Sequence, residues 1–383
     1  MQEIRKFVAP EFIFGAGAID MVGRYAINFG SYRPLIVTDQ GVMDAGWAGV
    51  VSEKLMEEGL EPSIYSNIRP NPRSSQVMEG AEFYKENKCD IIVAVGGGSP
   101  MDAAKAIGIV TTNNCDVSGF EGIDAVSIPG PPIICIPTTA GTSADVSQFA
   151  IISNEIEKRK FAIISKTVVP DVALIDPLTC MTMDNYLTAC TGIDALVHAV
   201  EALVSTANSP IMDIHAIAAI KLIWNNLHKV LLEPDNREYR TNVMLGSLQA
   251  GLAFSNASLG AVHAMAHSLG GLKDLSHGEC NAMLLNSVIR FNYKASPDRY
   301  KILAETIGLD IRGMTEKEIL KKLTESIDQF KTDAGIKDSL SGKAIKTGDI
   351  PSLAKNAIKD PCMATNPRIP SVKDIEAVYE ESL

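Results

Sequence analysis

The sequence predicts two halves of different class: an α/β N-terminal half built on a parallel sheet, then an all-helical C-terminal half. Three observations carry this. Apolar strand-like runs alternate with helical stretches between about residues 30 and 140. A glycine-rich turn joins one of those runs directly to a helix. After roughly residue 180 the strand signals vanish and only long helical patterns remain. At 383 residues the chain has room for two domains of ordinary size, expected at 1–180 and 181–383.

In chain order, the runs PLIVTD (34–39), DIIVAVGGGS (90–99) and PIICIPT (132–138) are apolar throughout, as parallel strands covered on both faces should be. Helical stretches such as AGWAGVVSEKLMEEG separate them. The segment VPDVALIDPLT, with its two prolines, is the expected hinge between the halves. Beyond it come NYLTACTGIDALVHAVEALVS, SPIMDIHAIAAIKLIWNNLHKVL and REYRTNVMLGSLQAGLAFS, each apolar at helical spacing. There is no internal repeat and no low-complexity segment.

Composition narrows the function classes. With 46% hydrophobic and 21% charged residues the chain reads as soluble and globular. The net charge is -11 and basic residues are scattered, so nucleic-acid binding is not expected. The seven cysteines are odd in number and never form C-x-x-C, which argues against a disulfide scaffold and against a thiolate zinc site. The opening MQEIRKFVAPEFIFGAGAID is broken by Pro10 and Glu11, unlike a secretory leader, and no uncharged apolar run approaches the ~18 residues of a membrane helix. A cytoplasmic protein without membrane association is expected.

Gly96-Gly97-Gly98-Ser99 follows a strand and precedes the helix PMDAAKAIGIV, with Pro100 expected at the first helical position. Backbone N–H groups there can approach a phosphate, Ser99 adds a hydroxyl, and the helix adds its positive end. The same residues would also make a tight turn without a ligand. Asp102 either caps the helix or helps to fix the loop. Asp39, closing PLIVTD, is placed to accept from a ribose diol and to repel a 2'-phosphate, which selects NAD; it could equally be a turn aspartate before Gly41. Thr138, Thr139 and Thr142 in PTTAGTSAD offer hydroxyls or satisfy local backbone. The fingerprint G-x-G-x-x-G is absent, since FGAGAID has Asp20 at its third glycine position.

Asp194 and His198 in TGIDALVHAVEA are four residues apart and share a helix face. The segment SNASLGAVHAMAHSLGGLKDLSHGECNAM holds three of the six histidines: His263, His267 and His277. A carboxylate with three imidazoles suits Fe(II), Zn(II) or Mn(II) and leaves the ion a strong Lewis acid. Spacing alone does not join the two segments, and core histidines would look the same. His215 and His228, without such partners, are expected to be structural.

Together TGIDALVHAVEALVS, GLAFSNASLGAVHAMAHSLGG, SHGECNAM, GGGSPMDAAK, IPTTAGT and KDPCMATNPR resemble the iron-containing, or group III, alcohol dehydrogenase family, whose members include lactaldehyde reductases and propanediol dehydrogenases. The resemblance runs in order from FIFGAGAI to the C-terminus. It implies a dinucleotide-binding N-terminal domain and a helical metal-binding domain, the dehydroquinate synthase-like fold, with the active site in a cleft between them. It implies metal ligation by Asp194, His198, His263 and His277, with His267 near the nicotinamide. NAD contacts fall on Asp39, Asn71 in RPNP, Gly97, Gly98, Ser99, Thr138, Thr139, Thr142 and Lys160, and the substrate pocket on Phe149, Phe254 and Cys362. Relatives form dimers or larger assemblies, so a homo-oligomer is expected.

Three departures stand out: AGTSADVS replaces the usual AGTGSEVT, Phe149 replaces a small polar residue, and Asn286-Ser287 replaces a Pro-His pair. The expected reaction is NAD-linked interconversion of a small primary alcohol or diol and its aldehyde, with His267 relaying a proton or orienting the cofactor or a water. The competing readings are a nicotinoprotein that passes hydride between two substrates on tightly held NAD, and a non-catalytic assembly protein that keeps the fold.

Overall fold

The computed structural model describes residues 6–337 and 339–383. The first five residues of the stretch read above for a leader lie outside that range. The chain divides into two compact units, Val8–Met183 and Asp184–Leu383, the latter joined by Lys6 and Phe7.

In the first unit the strands are β1 (Glu11–Phe14), β2 (Pro34–Asp39), β3 (Ser63–Ile68), β4 (Ile91–Gly96), β5 (Gly122–Ile123), β6 (Ile133–Pro137), β7 (Phe149–Asn154), β8 (Arg159–Ile164) and β9 (Val172–Ile175). Six of them form a parallel sheet in the order β1-β9-β6-β4-β2-β3. Alternate side chains of the central strands enter two separate cores. Leu35, Val37, Ile92, Ala94, Ile133 and Cys135 meet α4 (Ser74–Glu86) and α5 (Gly98–Asn113). Ile36, Ile91, Val93, Val95, Ile134 and Ile136 meet α1 (Val22–Asn28) and α3 (Trp47–Glu57), while α2 (Gln40–Asp44) follows β2. Burial on both faces is why these runs carry no polar alternation.

Two features differ from expectation. The segment VPDVALIDPLT is no hinge: its apolar centre is β9, hydrogen-bonded between β1 and β6, and the prolines merely flank the strand. A second sheet, β5-β8-β7, also goes beyond the expected pattern, with β7 and β8 paired antiparallel.

The second unit is helical throughout its described residues: α6 (Asn185–Val204), α7 (Pro210–Leu232), α8 (Arg237–Ala257), α9 (Ala261–Lys273), α10 (His277–Asn292), α11 (Pro297–Thr306), α12 (Glu316–Asp333), α13 (Ile350–Ala357) and α14 (Val372–Glu381). The N-terminus of α6 is fixed by Asp184, whose carboxylate accepts from the Leu187 N–H at 2.7 Å. By length and composition α6 could cross a membrane, but 89% of its most apolar window is buried inside the fold. Its hydrophobicity serves the core.

Candidate metal and dinucleotide sites

Three helices of the second unit bring four dispersed ligating side chains together. Asp194 and His198 leave one face of α6, His263 stands in the first turn of α9, and His277 opens α10. One donor atom from each lies within 4.8 Å of the others. Asp194 Oδ1 is 3.8 Å from His263 Nε2 and 3.7 Å from His277 Nε2, and its Oδ2 is 3.9 Å from His198 Nδ1. Donors bonded at ~2.0–2.2 Å to one ion would be ~3–4 Å apart, so the spacing fits a coordination shell.

Backbone packing makes this convergence possible. A Cβ at Gly278, next to His277, would lie 2.3 Å from the Cys190 carbonyl oxygen, so only glycine lets the start of α10 press against α6. On the other side, Glu201 lies two turns beyond Asp194 on α6 and caps α9. Its carboxylate accepts from the N–H groups of Gly260 at 3.0 Å and Val262 at 2.7 Å, and lies 2.7 Å from His263 Nδ1. A negative charge at a helix N-terminus satisfies donors that have no partner within the helix. Burial pushes the Glu201 carboxyl up to about 7 against the pull of those backbone donors. Burial likewise holds the His263 imidazole well below its ordinary range, leaving it neutral. With Nδ1 turned to Glu201, the lone pair of His263 sits on Nε2.

Asn281 reaches into the centre of the cluster. Its Nδ2 is 2.6 Å from Asp194 Oδ1, 3.1 Å from His263 Nε2 and 3.3 Å from His277 Nε2, while its own Oδ1 has no hydrogen-bond partner. One amide offers two protons to three acceptor positions. A carboxylate and three imidazoles converging on one point are a donor set that fits a cation. His198 is sandwiched between Phe254 and His263, ring centroids 4.3 and 4.4 Å away, which shields that side with apolar surface.

His267 lies outside the quartet. Its Nδ1 is 2.8 Å from Asp360 Oδ2, and Asp360 Oδ1 accepts from the Cys362 N–H at 2.8 Å. Burial works to raise the Asp360 carboxyl, but His267 and the Cys362 N–H outweigh it and hold it below its usual value. His215 and His228 are held elsewhere, against Gln249 Oε1 at 2.7 Å and the Phe330 carbonyl at 2.9 Å.

In the first unit the glycine turn is packed by threonines. A Cβ on Gly97 would lie 3.2 Å from Thr139, and one on Gly98 would lie 2.9 Å from Thr142 Cγ2. The turn is therefore bare backbone by necessity. Helix α5 begins at Gly98, so Pro100 is its third residue rather than its first; the N–H it lacks still belongs to the unpaired first turn. The Asn71 N–H donates to Ser99 Oγ at 3.1 Å, Lys160 Nζ donates to Asn71 Oδ1 at 2.6 Å, and the Thr138 N–H donates to the Gly96 carbonyl at 2.9 Å. Thr142 Oγ1 accepts from the Ala144 N–H at 3.3 Å.

The two ambiguous aspartates have clear contacts. Asp39 caps α2 through the Val42 N–H at 2.9 Å, and Asp102 accepts from the Ile151 N–H at 3.1 Å, tying α5 to β7. Lys105, fully buried, donates to the Ser147 and Phe149 carbonyls at 2.9 and 2.8 Å and so clamps the segment after the threonines. Phe149, expected at the substrate, lies on β7 in this first unit.

Glu201, Asn281, Asp360 and Lys105 were not singled out from the sequence. Glu201 and Asn281 had a signal: they follow His198 by three and His277 by four residues, on the same helix faces. Asp360 and Lys105 sat inside quoted motifs without any spacing relation to their partners.

Comparison with known proteins covers both units. Residues 9–177 match the family model for iron-containing alcohol dehydrogenase, and residues 188–383 match that for the C-terminal part of the Fe-containing alcohol dehydrogenase family. A 1,3-propanediol dehydrogenase of Klebsiella pneumoniae is 39% identical over 96% of each chain. An NAD-dependent methanol dehydrogenase of Bacillus methanolicus is 34% identical over 98% of this chain and 99% of its own. The solved structure of an alcohol dehydrogenase from Oenococcus oeni superposes with a TM-score of 0.96 at 35% identity, covering 99% of this chain and 100% of that one.

Proposed function

The chain belongs to the iron-containing alcohol dehydrogenase family, and we propose that it interconverts a small primary alcohol or diol and its aldehyde with NAD as hydride carrier. The ion would be Fe(II), with Zn(II) or Mn(II) as substitutes, held by Asp194, His198, His263 and His277. The observation that carries this reading is the convergence of one carboxylate and three imidazoles within 4.8 Å of one another. When bound, the metal supplies Lewis acidity toward an alcohol oxygen, and NAD supplies the hydride acceptor.

The protein's own groups do the rest. Glu201 keeps the His263 ring turned so that Nε2 faces the other ligands. Phe254 excludes water beside His198. His267 accepts or returns the hydroxyl proton. Gly97, Gly98 and Ser99, at the N-terminus of α5, receive the pyrophosphate. Asp39 has lone pairs left beyond its cap to accept from a ribose diol, and Asn71, Thr138, Thr139, Thr142 and Lys160 complete the cofactor contacts. Phe149, Phe254 and Cys362 limit the substrate to a small alcohol. A homodimer or larger homo-oligomer, which rests on the family resemblance, and a cytoplasmic location, which rests on the scattered cysteines, complete the proposal.

Anaerobic purification with elemental analysis, followed by NAD reduction across short primary alcohols and diols, tests it. The expected result is metal-dependent reduction of added NAD with at least one of these. Protein that releases NAD on denaturation yet reduces none of the added cofactor would instead be a nicotinoprotein. Protein that binds neither metal nor NAD would end the catalytic reading.

A further inference from the structure

His267 stands one helical turn beyond His263 on α9, and its contact is with a residue 93 positions away. Asp360 precedes the short 3-10 segment Pro361–Thr365 and caps it through the Cys362 N–H. That hydrogen bond fixes the rotation of the carboxylate, and the other oxygen is aimed at His267 Nδ1 from 2.8 Å. The side chains are 6% and 10% exposed, which limits the competition of water for the contact. The same segment reaches α9 a second time: Asn366 Oδ1 accepts from the Ala261 N–H at 3.1 Å. One short stretch, KDPCMATN, therefore holds both the ring and the start of the helix that carries it.

We propose that Asp360 is a positioning residue: it holds the His267 ring with Nδ1 turned to its carboxylate, so that a neutral ring would carry its proton there and leave Nε2 open. Nε2 is then the one ring atom with a lone pair, and the one that can take a proton from substrate. The chemistry is restrictive. An ionised carboxylate only accepts hydrogen bonds, and a neutral imidazole has a single N–H, so that N–H must face Asp360. Without the carboxylate the ring could place its proton on Nε2, where it would be a donor when the reaction needs an acceptor. In the oxidising direction, with NAD bound to supply the hydride acceptor, Nε2 would take the proton of the alcohol. The ring then carries a proton on each nitrogen, and its new charge lies against Asp360. In the reducing direction the same proton returns to the aldehyde oxygen. The proposal rests on the reading of His267 as the proton relay, and its test separates the two.

The test uses holoenzyme loaded with diamagnetic zinc and labelled with 15N at its six histidines, at about pH 8.5, where histidine is ordinarily neutral. Two-bond 15N–1H correlation spectra, assigned with His267→Gln, should show the Nδ1–H tautomer for His267 in the wild type. Asp360→Asn retains an oxygen for the cap but can also offer an N–H, so it should lose the pure Nδ1–H pattern. Its kcat should fall on the order of a hundredfold or more, with the KM values for alcohol and NAD changed less than about threefold and metal content unchanged. Asp360→Glu, which keeps the acceptor, should recover part of kcat.

An Nε2–H tautomer or a doubly protonated ring in the wild type would overturn the proposal. So would an Asp360→Asn variant that keeps both tautomer and kcat. If Asp360→Asn loses the tautomer while His267→Gln retains full kcat, Asp360 still positions the ring but the relay reading fails.

Discussion

The two units build their candidate sites from opposite materials. In the first, the groups that would meet a ligand are backbone: three successive glycines, the start of α5, and threonines packed so closely that Gly98 has no room for a Cβ. In the second, they are side chains from three helices, each held by another buried side chain such as Glu201 or Asn281. A backbone cradle spreads its hold over many small contacts and should weaken gradually. A buried cluster of four ligands shares one balance of charge, and losing one member should disable the whole.

The sharpest break of that contrast is Asp194→Ala. It removes the one charged ligand, and kcat/KM at saturating metal should fall about a thousandfold or more. Steady-state kinetics under anaerobic conditions would show it, and a loss below tenfold would mean that the quartet is not the reacting centre. One layer out, Glu201→Gln should keep the shape but weaken the grip on His263. Metal affinity, read by competition with a chelator, should drop ~10–100-fold.

On the backbone side the effect should be smaller and reversible by a neighbour. Gly98→Ala should raise the KM for NAD about tenfold with little change in kcat, because overpacking by one methyl costs ~1–3 kcal/mol. Adding Thr142→Ser removes the Cγ2 that the new methyl meets and should restore much of the loss; if it does not, the packing account of the turn is wrong.

The smallest effect concerns Asp145, near the Lys105 clamp. Burial raises its carboxyl to about 6, from an ordinary value of 3.8. The folded chain therefore holds this proton more tightly than the unfolded chain does. Its contribution to stability is full below the ordinary value and is lost as pH rises toward 6. Compared with Asp145→Asn, the wild type should lose on the order of 1–3 kcal/mol between about pH 4 and 6. Thermal melts across that range would measure it, and parallel curves for the two proteins would dismiss it.

The same division governs what could be read from the sequence. Strands β2, β4 and β6 were legible because burial on both faces leaves unbroken apolar runs, and the glycine turn into α5 because its parts are consecutive residues. Strand β9 was not, since four residues between prolines look like a connection until their neighbours β1 and β6 are in place. Asp194 and His198 were visible as a pair at helical spacing, but their link to His263 and His277 depends on Gly278 pressing against Cys190, a contact that no local pattern encodes. Asp360 was beyond reach for the same reason: only tertiary packing sets it beside His267.

Whether α6, α9 and α10 jointly hold one metal ion decides the proposed chemistry. Its most direct test is metal stoichiometry after anaerobic reconstitution with Fe(II) and gel filtration, for the wild type and for His263→Ala at matched folding by circular dichroism. One ion per chain is expected in the wild type and almost none in the variant, which loses one of the four converging donors. A variant that retains a full equivalent of iron would contradict it.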